Sequence, residues 1–285
     1  MTDYWIILTG ALVASACGFL GCFLILRKMA MLGDAISHAV LPGIVLAFLF
    51  SGSRDAVPML IGAAIFGLLT TIIIQTLRGQ GVQSDAAMSV TFTALFSIGI
   101  ILVSLFTRQV DLDLDCVLYG EIAYVPWDPL KLGGMDLGPR AVWLIGAAFF
   151  ISLVVITLFY KQFKLCAFDP ALAAAIGIPV TFFHYLLMGL VSLTTVASFE
   201  SVGAILVVAM LIVPAATAYL LTDRLSVMLG LSIGMGTTSS LVGYWIAKLL
   251  DASIAGCMSV TAGVLFLLAF LFSPKHGVIT RWWIR

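Results

Sequence analysis

MLGDAISHAVLPG, residues 31–43, places a carboxylate and an imidazole, Asp34 and His38, at the start of an apolar run that otherwise carries no ionisable group. Side chains four residues apart share one face of an α-helix, so the two would point the same way. On a soluble protein such a pair says little. In a helix surrounded by lipid an ionisable group is costly, and its presence marks an ion path or a proton relay.

The rest of the chain makes lipid the solvent. Of 285 residues 62% are hydrophobic and only 10% charged, and the mean hydropathy is +1.18. A soluble domain carries about 25% charged residues. Nine apolar stretches follow one another, at 4–26, 35–50, 57–77, 86–107, 141–160, 180–199, 201–222, 225–247 and 252–273. Most reach the length of about 20 residues that crosses a hydrocarbon core of about 30 Å as helix. The second is short and holds Pro42 and Gly43, and the seventh follows the sixth with almost no loop and holds Pro214. Either can be a broken or partial span, so the expected fold is an all-α, polytopic membrane bundle of eight or nine helices, a single domain over residues 1–285. The opening MTDYWII lacks the basic segment of a signal peptide and begins an apolar stretch too long for one, so it is expected to remain as the first span.

With the N-terminus outside, nine basic residues (Arg27, Lys28, Arg78, Lys161, Lys164, Arg224, Lys275, Arg281, Arg285) fall on the inner side and five (Arg54, Arg108, Lys131, Arg140, Lys248) on the outer. That bias favours N-out, C-in. Lys plus Arg and Asp plus Glu are equal at 14 each, which leaves nothing to attract nucleic acid. The five cysteines (Cys17, Cys22, Cys116, Cys166, Cys257) form no CxxC, and neither a disulfide framework nor a zinc ribbon is expected. No GxxxxGK[ST], no GxGxxG after a strand and no HExxH occurs, so any ATP must be bound by another subunit.

Several residues have both a chemical and a plainer reading. Asp34 and His38, with the Ser37 oxygen beside them, suit metal or proton handling, whereas the plainer reading has Asp34 capping the second helix and pairing with Arg27 or Lys28. Carboxylate plus imidazole suits manganese, zinc or ferrous iron, and a sparse ligand set suits an ion that must be released. Glu200, at the junction of the sixth and seventh stretches, either faces the bundle interior as an ion ligand or is simply exposed. Asp111, Asp113, Asp115 and Glu121 form an acidic outer mouth or an ordinary solvated loop, followed by Tyr124 and Trp127, which suit a short helix at the outer interface. His184, alone in the sixth span, reads as a packing residue. In the loop 161–179, Asp169 can cap a helix that begins at Pro170 and stops at Gly177. Ala14 with Gly18, and Gly230 with Gly234, are small-residue pairs that let helices approach closely.

Four segments together resemble the permease subunit of the metal-ion ABC importers that serve manganese, zinc and iron: RKMAMLGDAISHAVLPG (27–43), VLYGEIAYVPWD (117–128), AFDPALAAAIGIP (167–179) and ESVGAILVVAMLIVPAATAYLL (200–221). They lie in the family's order along nearly the whole chain and are most similar to its manganese/iron branch. The resemblance implies a type II ABC importer permease fold in a bacterial cell membrane, distantly similar to the cobalamin and siderophore permeases. It implies two permease subunits forming one pore, two cytoplasmic ATPases and an extracellular metal-binding protein. It assigns metal contact to Asp34 and His38, and contact with the ATPase to the helix region marked by Phe168, Asp169, Pro170 and Gly177. Glu200 departs from the pattern, because many members carry an uncharged residue there. The chain itself would hold no cofactor and catalyse no reaction; the divalent metal is cargo and ATP belongs to the partner. Competing readings are a permease for a metal chelate, a stand-alone ion-coupled carrier, although a DPGN-type broken helix is missing, and a structural membrane subunit.

Overall fold

In hydrocarbon no water is present to satisfy a backbone N–H or C=O, so a spanning segment must satisfy its own, and the helix does so within one stretch. A computed structural model of the chain, which describes residues 2–51, 56–106, 122–132 and 135–273, follows that rule. In order it has α1 (Thr2–Leu26), α2 (Leu32–Ala39), α3 (Leu41–Ser51), α4 (Ala56–Gly79), α5 (Ser84–Phe106), a 3-10 helix (Ile122–Trp127), β1 (Pro129–Leu132), β2 (Met135–Pro139), α6 (Arg140–Leu158), α7 (Tyr160–Phe168), α8 (Pro170–Ala175), α9 (Val180–Val202), α10 (Ala204–Leu221), α11 (Leu225–Leu250) and α12 (Ile254–Phe272). Among the described residues, nine helical segments are long and apolar enough to cross a membrane, and α2 with α3 counts as one of them. The two doubtful stretches therefore both belong to the set.

The interruptions do not fall equally on the two prolines. The second span breaks at Val40, between α2 and α3, two residues before Pro42. Proline has no N–H to give the carbonyl four residues earlier, here that of His38. The seventh stays one helix through Pro214, and the chain breaks instead at Gly203, whose φ of 78° is open to glycine at little cost.

Helices in lipid are not driven together by hydrophobicity, since lipid tails are as apolar as leucine; close packing and interhelical hydrogen bonds do the work. α1 is the most enclosed span and packs on α6, α10 and α11, with α12 closing that group on α10 and α11. α2, α3, α4 and α5 pack on one another, and α9 joins the two groups through α1, α2, α4 and α6. Close approach recurs at glycines through the bundle, with Gly43 of α3 against Gly62 of α4; on α1, a Cβ on Gly21 would collide with the Leu211 carbonyl, and one on Gly18 would lie 2.7 Å from Ser232 Oγ. Ser232 Oγ donates to the Gly18 carbonyl at 2.9 Å, a bond between α11 and α1. The Ala14–Gly18 pair thus lies at a helix contact, with Gly236 against Ala14. Gly230 and Gly234 do not: open space lies where their Cβ atoms would be, and α11 uses Ser232, Gly236 and Gly243 instead.

Between α5 and α6 the 3-10 helix buries Ile122 and Val125 and exposes Tyr124 and Trp127, in keeping with a short interfacial helix. The antiparallel hairpin β1–β2 that follows was not expected from the sequence. Its signal is Gly133-Gly134 between two short extended runs.

Candidate functional site: an acid and a histidine in a cleft against helix α10

α1 ends in a reversal that sets the start of α2. Lys28 takes the left-handed conformation (φ 56°), and the N–H of Met29 donates to the Leu24 carbonyl at 2.9 Å and that of Lys28 to Ile25 at 3.0 Å. These are the two bonds of a Schellman stop, made here without glycine. Met31 occupies the N-cap of α2 without a side-chain bond, and Asp34 lies in the first turn. The capping role considered for Asp34 is therefore not the one it has.

Asp34 Oδ1 and His38 Nε2 are 3.5 Å apart, with the side chains 39% and 30% exposed. Neither is locked in the core, and both reach one space. Two donors at this separation can share an ion: with bonds of about 2.1 Å they would subtend an angle of about 110° at the metal. The His38 ring lies against Phe92 and Phe96 of α5, at centroid distances of 5.8 and 5.6 Å, which restrict its rotation. Ser37 is turned away: its hydroxyl is buried and donates to the Gly33 carbonyl at 2.9 Å, so it adds no oxygen to the site.

The space itself is a cleft of about 510 Å³ lined by Asp34 and His38 on one side and by Ala204, Ile205, Val208, Ala209, Ile212 and Val213 of α10 on the other. The α10 wall carries no polar side chain. Among the described residues no third His, Cys, Asp or Glu joins the pair. Among the described residues, a cation there finds two side-chain ligands, Asp34 and His38.

Not all of the remaining candidates fall within the described residues. Glu200 is in the last turn of α9, three residues before the Gly203 break, and its side chain is outside the described part of the structure. Asp111, Asp113, Asp115 and Glu121 lie outside the described residues. His184 Nδ1 is 3.1 Å from Arg27 Nη1. A guanidinium can only donate, so Nδ1 is the acceptor and the ring proton sits on Nε2. Helix α8 has Asp169 at its N-cap accepting from the Leu172 N–H at 2.9 Å, Pro170 at its first position, and Gly177 at φ 87° beyond its end. Phe168, Leu172 and Ile176, spaced by four, are all exposed.

The family model described as the ABC 3 transport family matches residues 3–273. This chain belongs to the ABC 3 transport family. Among its relatives, the manganese transport system membrane protein MntD of Bacillus subtilis (strain 168) is 55% identical over 279 residues, 98% of this chain and 95% of that protein. The zinc transport system membrane protein TroD of Treponema pallidum (strain Nichols) is 43% identical, over 97% of this chain and 75% of that protein. A solved structure, PsaBC from Streptococcus pneumoniae in complex with Fab, is similar with a TM-score of 0.80 and 38% identity, covering 96% of this chain and 92% of that one. The all-α membrane fold expected from the sequence is the fold of the ABC 3 family member seen here.

What sequence reasoning missed in this ABC 3 chain is the partner wall and the histidine's contact. Nothing in VGAILVVAMLIV marks one apolar face of α10 as the side of a cleft, because every face is apolar. The contact of Arg27 with His184 joins residues 157 apart in sequence, and only packing brings them together.

Proposed function

We propose that this chain is the membrane-spanning permease subunit of an ATP-driven importer of a divalent transition metal, manganese first and iron or zinc after it, with Asp34 and His38 as its ligands for the passing ion. The observation that carries the reading is the pair 3.5 Å apart in a cleft whose far wall is bare hydrocarbon. One hard and one borderline donor suit these metals, and two ligands hold an ion weakly enough to release it. The names of the relatives, manganese and zinc transport proteins, support the same cargo.

The cleft lies against a face of α10 that is partly open to the outside of the single chain: Ile205 and Tyr219 are exposed, and Val208, Ile212 and Ala216 half-buried. A second permease subunit, of the same or a related sequence, covers that face and completes the ion's surroundings. Metal arrives from an extracellular binding protein past the outer acids Asp111, Asp113, Asp115 and Glu121, and Glu200 is a further ligand on its way. The N-terminus is outside and the C-terminus in the cytoplasm of a bacterial cell.

ATP is hydrolysed on separate cytoplasmic subunits, which grip α8 through Phe168, Leu172 and Ile176. Motion of α8 reaches the site along packed groups. α7 places Phe163 against Phe23 of α1 and Phe183 of α9, at 5.9 and 5.3 Å. The Arg27–His184 contact ties α9 to the reversal from which α2 rises to Asp34. No bond in the cargo changes; the protein exposes the site alternately to either side.

The test is metal uptake by the assembled transporter bearing Asp34→Asn, with ATP hydrolysis measured in parallel. Uptake is expected to fall by at least about tenfold while hydrolysis continues, as loss of a metal-site group does elsewhere. Undiminished uptake removes Asp34 from the path.

A further inference from the structure

A second cavity, of about 360 Å³, opens at the end of the bundle that carries α8. Its lining includes Arg27, Lys28, Arg78, Gln75 and Thr181, and no carboxylate is among the described residues that line it. Asp169, next in sequence to the lining residue Pro170, commits Oδ1 to the N-cap of α8. Three cations converging without an acid repel one another, and something must offset that.

The hydrogen bonds tell the same story. Arg27 spends Nη1 on the neutral acceptor of His184, while its Nε and Nη2 are buried with no partner among the described residues. Arg78 gives Nη1 to the thioether of Met29 at 3.2 Å, a weak acceptor for a charged donor. Burial pushes the Arg27 guanidinium below its usual range, against an opposing electrostatic pull from the nearby Cys166. A buried donor without an acceptor costs about 1–3 kcal/mol, and more when it is charged. Cationic side chains thus line the cavity with no neutralising carboxylate among the described lining residues.

We infer that the cavity bounded by Arg27, Lys28 and Arg78 binds a phosphate-class oxyanion, presented as the headgroup of an anionic phospholipid or as free phosphate. Guanidinium groups match phosphate oxygens in planar, paired hydrogen bonds. Basic pockets at the ends of spanning helices are where anionic headgroups are held. The cavity joins the α1–α2 reversal, the C-terminal end of α4 and the first turn of α9, so a bound anion clasps three spans directly beside α8. Occupancy therefore stiffens the region through which α8 communicates with α2.

The experiment uses the full-length permease purified in a neutral detergent, and reads its melting temperature with inorganic phosphate against sodium chloride of equal ionic strength. A second arm reads it in nanodiscs of phosphatidylglycerol against phosphatidylcholine. A rise of about 3 °C is expected at ten times the dissociation constant. Arg78→Gln and Lys28→Gln should each abolish most of it. A rise with both probes assigns the pocket to any phosphate oxyanion, and a rise in the lipid arm alone assigns it to a headgroup. Equal shifts in chloride and phosphate together with no lipid effect, or a full shift surviving in both single variants, overturn the inference. An occupant from another subunit, such as an acidic side chain of the ATPase, gives that same negative result in the isolated permease.

Discussion

At the scale of single residues, this protein is governed by where a side chain is absent as much as by where one acts. Gly21 lets α1 lie so close to α10 that a Cβ would strike the Leu211 carbonyl, and backbone cannot swing aside as a flexible side chain can. Gly21→Ala should lower stability by about 1–3 kcal/mol, the usual cost of overpacking. Gly146→Ala, on α6 with open space around it, should be neutral or mildly stabilising. Thermal unfolding of both variants in detergent checks the pair, and equal melting temperatures would remove the close contact from the account. Asp34 and His38 work differently. They are adjacent because helical geometry makes them so, and the histidine is aimed because Phe92 and Phe96 stand behind its ring.

At the scale of elements, α8 shows how few residues specify a helix when its ends are well made. Asp169 satisfies the Leu172 N–H, Pro170 lacks the donor its position would leave idle, and Gly177 turns the chain out through a left-handed conformation. Asp169→Ala should cost about 1 kcal/mol locally. If α8 is the contact with the ATPase, that loss loosens the joint, and the ATP hydrolysed per metal ion moved should rise while metal binding holds. An unchanged ratio in reconstituted vesicles would take α8 out of the coupling path. The same locality makes α8 legible in the amino-acid sequence: all of its determinants lie within nine residues of one another.

At the scale of the whole molecule, the proposed second subunit would complete the site. The α10 face that walls the cleft is also in part the outer surface of the bundle, with Ile205 exposed. A nitroxide on Ile205→Cys should be accessible to lipid-borne oxygen in the isolated permease and shielded in the assembled transporter. Equal accessibility in both would place the second subunit on another face. The isolated chain in vesicles should move no metal in the absence of the ATPase, and ATP-independent uptake would favour a self-sufficient carrier.

What the chain's order determined by itself was everything set by short-range chemistry or by bulk composition. Among the described residues, nine apolar stretches became nine membrane-length helical segments because lipid allows an apolar run to satisfy its backbone only as helix. The i, i+4 spacing put Asp34 beside His38, and local capping residues made α8. Tertiary structure alone decided which faces meet. It selected Gly236 and Gly243 over Gly230 and Gly234, turned Ser37 inward, set the bare face of α10 across from the acid, and joined Arg27 to His184. The reason lies in the solvent. In water the polar side of a helix declares which side is buried, but a helix apolar all round declares nothing, and only the fit of one surface against another chooses its neighbours.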